Sequence, residues 1–316
     1  MENMKKACIS IVVPTYNEAE NVDALAAAVK AELAASLARY DYEILFIDNR
    51  STDGTRERIA ALCAADPRIK AIFNIRNFGQ FRSPYHGLCC AEGDCAILLA
   101  ADFQDPISLL PRLVAEWERG HRIVCAIKKA SMEHPLLRAL RTCYYRLIRR
   151  LSEVEQIEHF TGFGLYDRSF LDVLRSLDEA APFLRGLVAE LGFDRTEIPY
   201  VQARRRAGKT HNSLKTLYDA AMLSFTTYTK APLRFFTPFG LLLFFASALY
   251  GLLLLILRPF GIRVGILALL SPMGMLTALP LVAVGILGEY LLTLRTRILH
   301  RPVVGSTPAS VSVTVK

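Results

Sequence analysis

Residues Ile9–Glu18 read ISIVVPTYNE. Ile9–Val13 is a short β-branched run, long enough for a buried strand and too short for a buried helix. It stops at Pro14 and gives way to polar residues. The same change recurs three times downstream. Glu43–Asp48 (EILFID) leads into Asp48-Asn49-Arg50-Ser51-Thr52-Asp53-Gly54. Lys70–Ile75 leads into Arg76-Asn77-Phe78-Gly79, and Cys95–Ala101 (CAILLAA) into Asp102-Phe103-Gln104-Asp105-Pro106. Helical segments at Asn17–Arg39, Thr55–Ala65, Gln80–Glu92 and Ser108–Arg119 separate these runs, before a further strand at Arg122–Ile127. This alternation implies an α/β fold with a mostly parallel sheet covered on both faces. Ligands of such sheets bind beyond the carboxyl ends of the strands. The four polar loops therefore mark one edge of the sheet as a site.

The loops also limit the chemistry. Neither G-x-G-x-x-G nor G-x-x-x-x-G-K-[ST] is present, so a dinucleotide fold and a P-loop are both unsupported. A diphosphate held among carboxylates needs a divalent cation as bridge. Asp102 and Gln104 offer hard oxygen donors two residues apart, suited to Mg²⁺ or Mn²⁺. Each loop alone is ordinary turn and capping chemistry. Four in register make a site.

The 316 residues are 52% hydrophobic and carry a formal charge of +8, with a mean hydropathy of +0.28. A charged fraction of 22% with that apolar content excludes a disordered chain. The apolar residues are concentrated near the C-terminus. Phe235–Leu257 has 23 residues without a charge, about 35 Å as a helix against a hydrocarbon core of about 30 Å. A second uncharged run covers Val264–Gly288, after the short link Arg258–Arg263. Two spanning helices so linked form a hairpin with both ends on one side. Lys230 and Arg234 before it, and Arg295, Arg297 and Arg301 after it, place that side in the cytoplasm. No signal peptide is visible, because Ala7–Val13 is too short. The seven cysteines suggest neither a disulfide framework nor a zinc site and read as reduced cytosolic thiols.

With these residues in view, the chain resembles the family 2 glycosyltransferases, which have a GT-A fold. More narrowly it is similar to the polyisoprenyl-phosphate glycosyltransferases, the group of dolichol-phosphate mannose synthase and bacterial GtrB-type enzymes. The resemblance rests on VVPTYNE (Val12–Glu18), IDNRSTDGT (Ile47–Thr55), RNFGQ (Arg76–Gln80), ADFQDP (Ala101–Pro106), GFGLYDR (Gly162–Arg168), RRRAGKT (Arg204–Thr210) and GEY (Gly288–Tyr290). It covers nearly the whole chain.

The resemblance implies residue roles. Pro14, Tyr16 and Glu18 would line the nucleotide pocket, Asp48 would contact base or ribose, and Arg76 and Asn77 would lie near nucleotide and sugar. Asp102 and Gln104 would hold Mg²⁺ or Mn²⁺ on the donor diphosphate. Three positions depart from the family pattern. Ala100 stands where the D-x-D motif has its first acid, Asn49 where the second strand usually ends in another acid, and Gly162 where relatives often carry Asp.

The implied reaction is inverting transfer of a sugar from a UDP- or GDP-linked donor to a polyprenyl monophosphate such as undecaprenyl phosphate. The product would serve envelope glycan or protein glycosylation. A phosphate monoester has a second pKa of about 6, so this acceptor is largely a dianion at pH 7 and needs little deprotonation. The site instead needs cations. Arg204, Arg205 and Arg206 suit phosphate oxygens, and Arg205 with Gly208 fits the family's R-x-x-G spacing. Asp102, Gln104 and Arg205 are thus the expected catalytic set.

The expected organisation is a cytosolic GT-A domain over residues 1–212, a juxtamembrane helix over 213–234, two transmembrane helices within 235–298 (about 235–257 and 264–288), and a flexible tail over 299–316. The protein is expected in the inner (cytoplasmic) membrane, multi-pass. His134–Ser152 reads as a basic amphipathic helix suited to an anionic lipid surface. Glu289 is expected to pair with an arginine such as Arg295. No nucleic-acid motif is present. A homo-oligomer stays open, since relatives can assemble through their membrane helices. Two other classes compete. A processive polysaccharide synthase would need a Q-x-x-R-W motif, yet the single Trp, Trp117, lies outside one. A non-catalytic membrane protein is the other, with Ala100 as its support.

Overall fold

A computed structural model of the chain describes residues 6–129, 157–177, 182–203, 205–206, 222, 231–257 and 269–298. The proposed helices at His134–Ser152 and 213–230 and the tail from 299 lie outside these residues, as does Arg204, apart from Met222.

Seven strands form one sheet: β1 (Cys8–Thr15), β2 (Asp41–Asp48), β3 (Ile69–Phe73), β4 (Cys95–Leu98), β5 (Ile123–Lys128), β6 (Phe160–Asp167) and β7 (Arg195–Tyr200). Their order is β3-β2-β1-β4-β6-β5-β7. All neighbouring pairs are parallel except those made by β6, which runs against both β4 and β5. Among the described residues, the α-helices around the sheet are α1 (Val22–Ser36), α2 (Thr55–Ala65), α3 (Gly79–Cys90), α4 (Leu110–Glu118), α5 (Arg168–Ser176) and α6 (Leu184–Glu190).

Strand alternation builds a core on each face. Ile9, Ile11 and Val13 of β1 join Leu25 and Val29 of α1, Ile59 of α2 and Leu113 of α4 in one cluster. Val12 joins Leu88 of α3, Phe170 of α5 and Leu187 of α6 in the other. Burial on both faces explains why these strands read as near-continuous apolar runs.

Around the sheet, most boundaries differ from the sequence reading by one to three residues, and two differences are larger. The segment expected as helix from Asn17 starts at Val22, because residues 17–19 spend their polar groups on a neighbouring loop. Strand β6 was not expected. Its sequence FTGFGLYD carries two glycines, which weaken any strand signal. Gly164 is required there, because a Cβ would run into the carbonyl oxygen of Val124.

The chain divides into two compact units. The first carries the sheet. The second carries α7 (Ala231–Leu257) and α8 (Leu270–Ile298). Arg234–Leu257 and Leu270–Leu291 are long and apolar enough to cross a membrane, and only 11% and 17% of their most apolar windows are buried. That low burial does not suit soluble core helices. Small residues let the two helices approach closely. A Cβ on Gly240 would stand 2.8 Å from Val282 Cγ2, and one on Gly285 would overlap Thr237. The Ser271 hydroxyl donates to the Ser247 carbonyl at 2.8 Å. Glu289 pairs with an arginine, as expected: Arg234 at 2.7 Å, before the first apolar run. We expect Gly285→Leu to separate the two helices and lower the melting temperature of the full chain in detergent. Gly261→Leu, in the link, serves as the comparison.

Candidate active site

The loops at the carboxyl edge hold one another. Asn17 sits at φ +56°, a region Asn tolerates better than most residues. Its N–H donates to Ser51 Oγ at 2.8 Å, and its side-chain oxygen accepts from the Thr52 N–H at 2.9 Å. The Glu18 N–H donates to Thr55 Oγ1 at 2.9 Å, and the Ala19 N–H to Asp53 Oδ2 at 3.1 Å. The loops after β1 and β2 are therefore one zipped unit.

Asp48 serves this unit. Its side chain is fully buried, accepts from the Arg50 and Ser51 N–H groups and pairs with Arg56 Nε at 2.8 Å. It lines neither cavity described below. Arg76 lines neither cavity and lies over the Phe78 ring at 4.3 Å.

Asn49 has a positive function that the missing acid concealed. Its amide donates to Asn77 Oδ1 at 2.8 Å and to the Gly79 carbonyl at 3.3 Å. Its oxygen accepts from the Phe78 N–H at 2.8 Å and from Asn74 Nδ2 at 3.3 Å. An ionised carboxylate cannot donate either of the first two. Asn49→Ala is expected to cost about 1–3 kcal/mol of stability and to weaken nucleotide binding, read by thermal unfolding and nucleotide titration of the full chain.

The fourth loop is zipped to the segment after β7. The Ala203 N–H donates to the Gln104 carbonyl at 3.2 Å, and the Arg206 N–H to the Asp102 carbonyl at 3.4 Å. Gln202 Nε2 donates to Gln104 Oε1 at 3.3 Å. The Arg206 guanidinium lies over the Phe103 ring at 5.1 Å. Asp105 anchors the loop from inside. It accepts from the Tyr200 hydroxyl at 2.9 Å and the Ala100 N–H at 3.3 Å. Burial pushes its carboxyl up to about 6.

These loops bring Pro14, Tyr16, Glu18, Asn77, Asp102, Gln104 and Arg205 around one cavity of about 640 Å³. Arg205 crosses it, paired with Glu18 and with its Nε 3.7 Å from Asp102 Oδ2. Burial raises the Glu18 carboxyl, against the lowering pull of Asn21 and Arg205. A second cavity of about 330 Å³ adjoins the first and shares Pro14, Gln80, Pro84, Ala100 and Gln104 with it. Its outer side carries Thr161 and Phe163 of β6, Leu184 and Arg185 of α6, and Gln202.

The donor set fits a divalent cation of one kind. Among the described residues, no three His, Cys, Asp or Glu side chains converge to hold a metal. Asp102 supplies one carboxylate and Gln104 one amide oxygen, with alanine at position 100. Mg²⁺ is commonly held by one or two carboxylates, with phosphate oxygens and water completing its shell. The residues suit a cation brought with a diphosphate, not a protein cage.

Asn49, Asp105, Arg185 and Gln202 escaped the sequence reading. Asp105 lay within the quoted ADFQDP motif and carried a signal. Arg185 carried none, being one arginine in an unremarked LRG segment.

Comparison with known proteins gives the family. Residues 10–175 match the model of "Glycosyl transferase family 2". The chain is 32% identical over 297 residues to a bactoprenol glucosyl transferase of Shigella phage SfV, covering 93% of this chain and 96% of the relative. It is 31% identical over 286 residues to the prophage bactoprenol glucosyl transferase homolog of Escherichia coli K12, covering 90% and 93%. Among solved structures, a mannosyltransferase from Pyrobaculum calidifontis aligns at 16% identity and a TM-score of 0.49, over 93% of this chain and 81% of that one. The chain belongs to glycosyl transferase family 2, among the polyprenyl-phosphate glycosyltransferases, and has the family's GT-A fold.

Proposed function

We propose that this protein transfers a hexosyl group, with inversion, from a nucleoside-diphosphate sugar to a polyprenyl monophosphate at the cytosolic face of the inner membrane. One observation carries the reading. The loops after β1, β4 and β7 converge so that Asp102, Gln104, Glu18 and Arg205 share a single cleft. Relatives named for bactoprenol over nearly their whole length support the acceptor class. The two long apolar helices, flanked by arginines, support membrane attachment and its orientation.

Asp102 and Gln104 would hold Mg²⁺ or Mn²⁺, which supplies charge neutralisation for the leaving diphosphate. The chain's own groups do the rest. Asn77 and Tyr16, fixed by Asn49 and the Asn17–Ser51 zipper, hold the nucleotide end. Arg205 contributes a fixed positive charge beside the developing negative charge. An acceptor phosphate oxygen forms its bond to the anomeric carbon as the bond from that carbon to the donor diphosphate breaks. The dianionic acceptor makes a general base unnecessary.

The test is a panel of UDP- and GDP-hexoses against the purified full chain, with Mg²⁺, Mn²⁺ or EDTA. One donor should raise the melting temperature in a metal-dependent way. No shift with any donor contradicts the reading.

A further inference from the structure

We propose that the smaller cavity receives the phosphate and first isoprene unit of the acceptor, with Arg185 as the phosphate ligand. This rests on the transfer reaction above and goes beyond it, because the sequence assigned the acceptor phosphate to Arg204–Arg206.

Neither described arginine of that cluster lines the smaller cavity. Arg205 is engaged with Glu18 and close to Asp102, on the side of the cleft that takes the donor diphosphate. Arg206 stacks on Phe103 and lines neither cavity. Inversion demands that the nucleophile approach the anomeric carbon opposite the leaving diphosphate. With the diphosphate at Asp102 and Gln104, the sugar falls at the junction of the two cavities, around Gln104, Gln80 and Ala100. The far side of that junction is the smaller cavity.

Its lining has the chemistry of a phosphate attached to a hydrocarbon. Arg185, half-buried at the start of α6, is the one cation among the described residues that line it. A guanidinium matches phosphate oxygens bidentately. Phe81, Leu98, Phe163 and Leu184 supply apolar wall. Phe81 is held edge-on against Phe183, the residue before α6, at 5.6 Å. The acid on the wall, Asp105, has one oxygen facing the Tyr200 hydroxyl and the other the Ala100 N–H.

The experiment uses the full chain in detergent, with Arg185→Gln and Arg185→Lys. Transfer is measured against undecaprenyl phosphate and against geranyl phosphate, and nucleotide affinity by titration. Loss of the guanidinium should raise KM for both acceptors about tenfold or more, leave nucleotide Kd within about twofold, and be partly restored in Arg185→Lys. Inorganic phosphate should inhibit the wild type and compete less well in Arg185→Gln. An unchanged acceptor KM, or a loss confined to donor affinity, overturns the proposal and puts Arg185 with the donor sugar. If Arg185→Gln does not fold, Arg185→Lys alone decides by the same two constants. A wild type that transfers no sugar defeats the function itself; an active wild type with unaltered Arg185 variants defeats only this inference.

Discussion

Asp102→Ala is expected to lower transfer by about 10²–10³-fold, the usual loss when one preorganised electrostatic group leaves a reacting centre. The effect should be large because the donor set is small. Position 100 is alanine and Asp105 is turned to Tyr200 and the Ala100 N–H, so Asp102 is the carboxylate of this loop that lines the larger cavity with Gln104. The variant should still fold. The Asp102 side chain accepts from the Gln104 N–H at 3.1 Å, while the loop is also pinned by Asp105 and by the backbone bonds to Ala203 and Arg206. Asp102→Asn keeps an acceptor for that turn and removes the charge. It should lose activity almost as completely, with an unchanged melting temperature. Activity near that of the wild type in either variant would refute the role.

Arg205→Ala is expected to cause a loss of similar size by a different route, and to lower stability as well. Its guanidinium pairs with Glu18, whose side chain is only 7% exposed. Removing one partner of a buried pair leaves the other charge uncompensated. The Glu18 carboxyl, already raised by burial, should rise further once Arg205 is gone. Adding Glu18→Gln removes the stranded charge. The double variant should therefore recover melting temperature relative to Arg205→Ala without recovering transfer, a non-additivity that two independent sites would not show. Additive losses in stability would show that the pair does not couple.

Much of this was legible in the chain. Strands buried on both faces declare themselves as apolar runs, so β1 and β2 were read to within two residues at each end, and β4 from its first residue but three residues too long. Each run stops where the strand leaves the sheet, which put Asn17–Glu18, Asp48–Gly54, Asn77–Gly79 and Asp102–Asp105 on one edge before any coordinates. What the chain concealed depends on contacts between distant segments. Asn49 looked like a lost acid until Asn77, Phe78 and Gly79 were seen around it. The pairing of Asp48 with Arg56 joins positions eight apart and had no signal in the sequence. Strand β6 runs against its neighbours and carries Gly162 and Gly164, so neither periodicity nor propensity announced it. Arg185 lies 80 residues beyond Asp105, and only the packing of α6 against the sheet brings it to the smaller cavity.

The most direct measurement follows the sugar itself. Purified full-length protein is incubated with the labelled donor selected by thermal stabilisation, with Mg²⁺ or Mn²⁺, and with or without undecaprenyl phosphate. The account expects label to pass into the organic phase only when the lipid phosphate is present, with one nucleoside diphosphate released per sugar transferred. Label that stays in the aqueous phase with every donor, lipid present and protein folded, would contradict it.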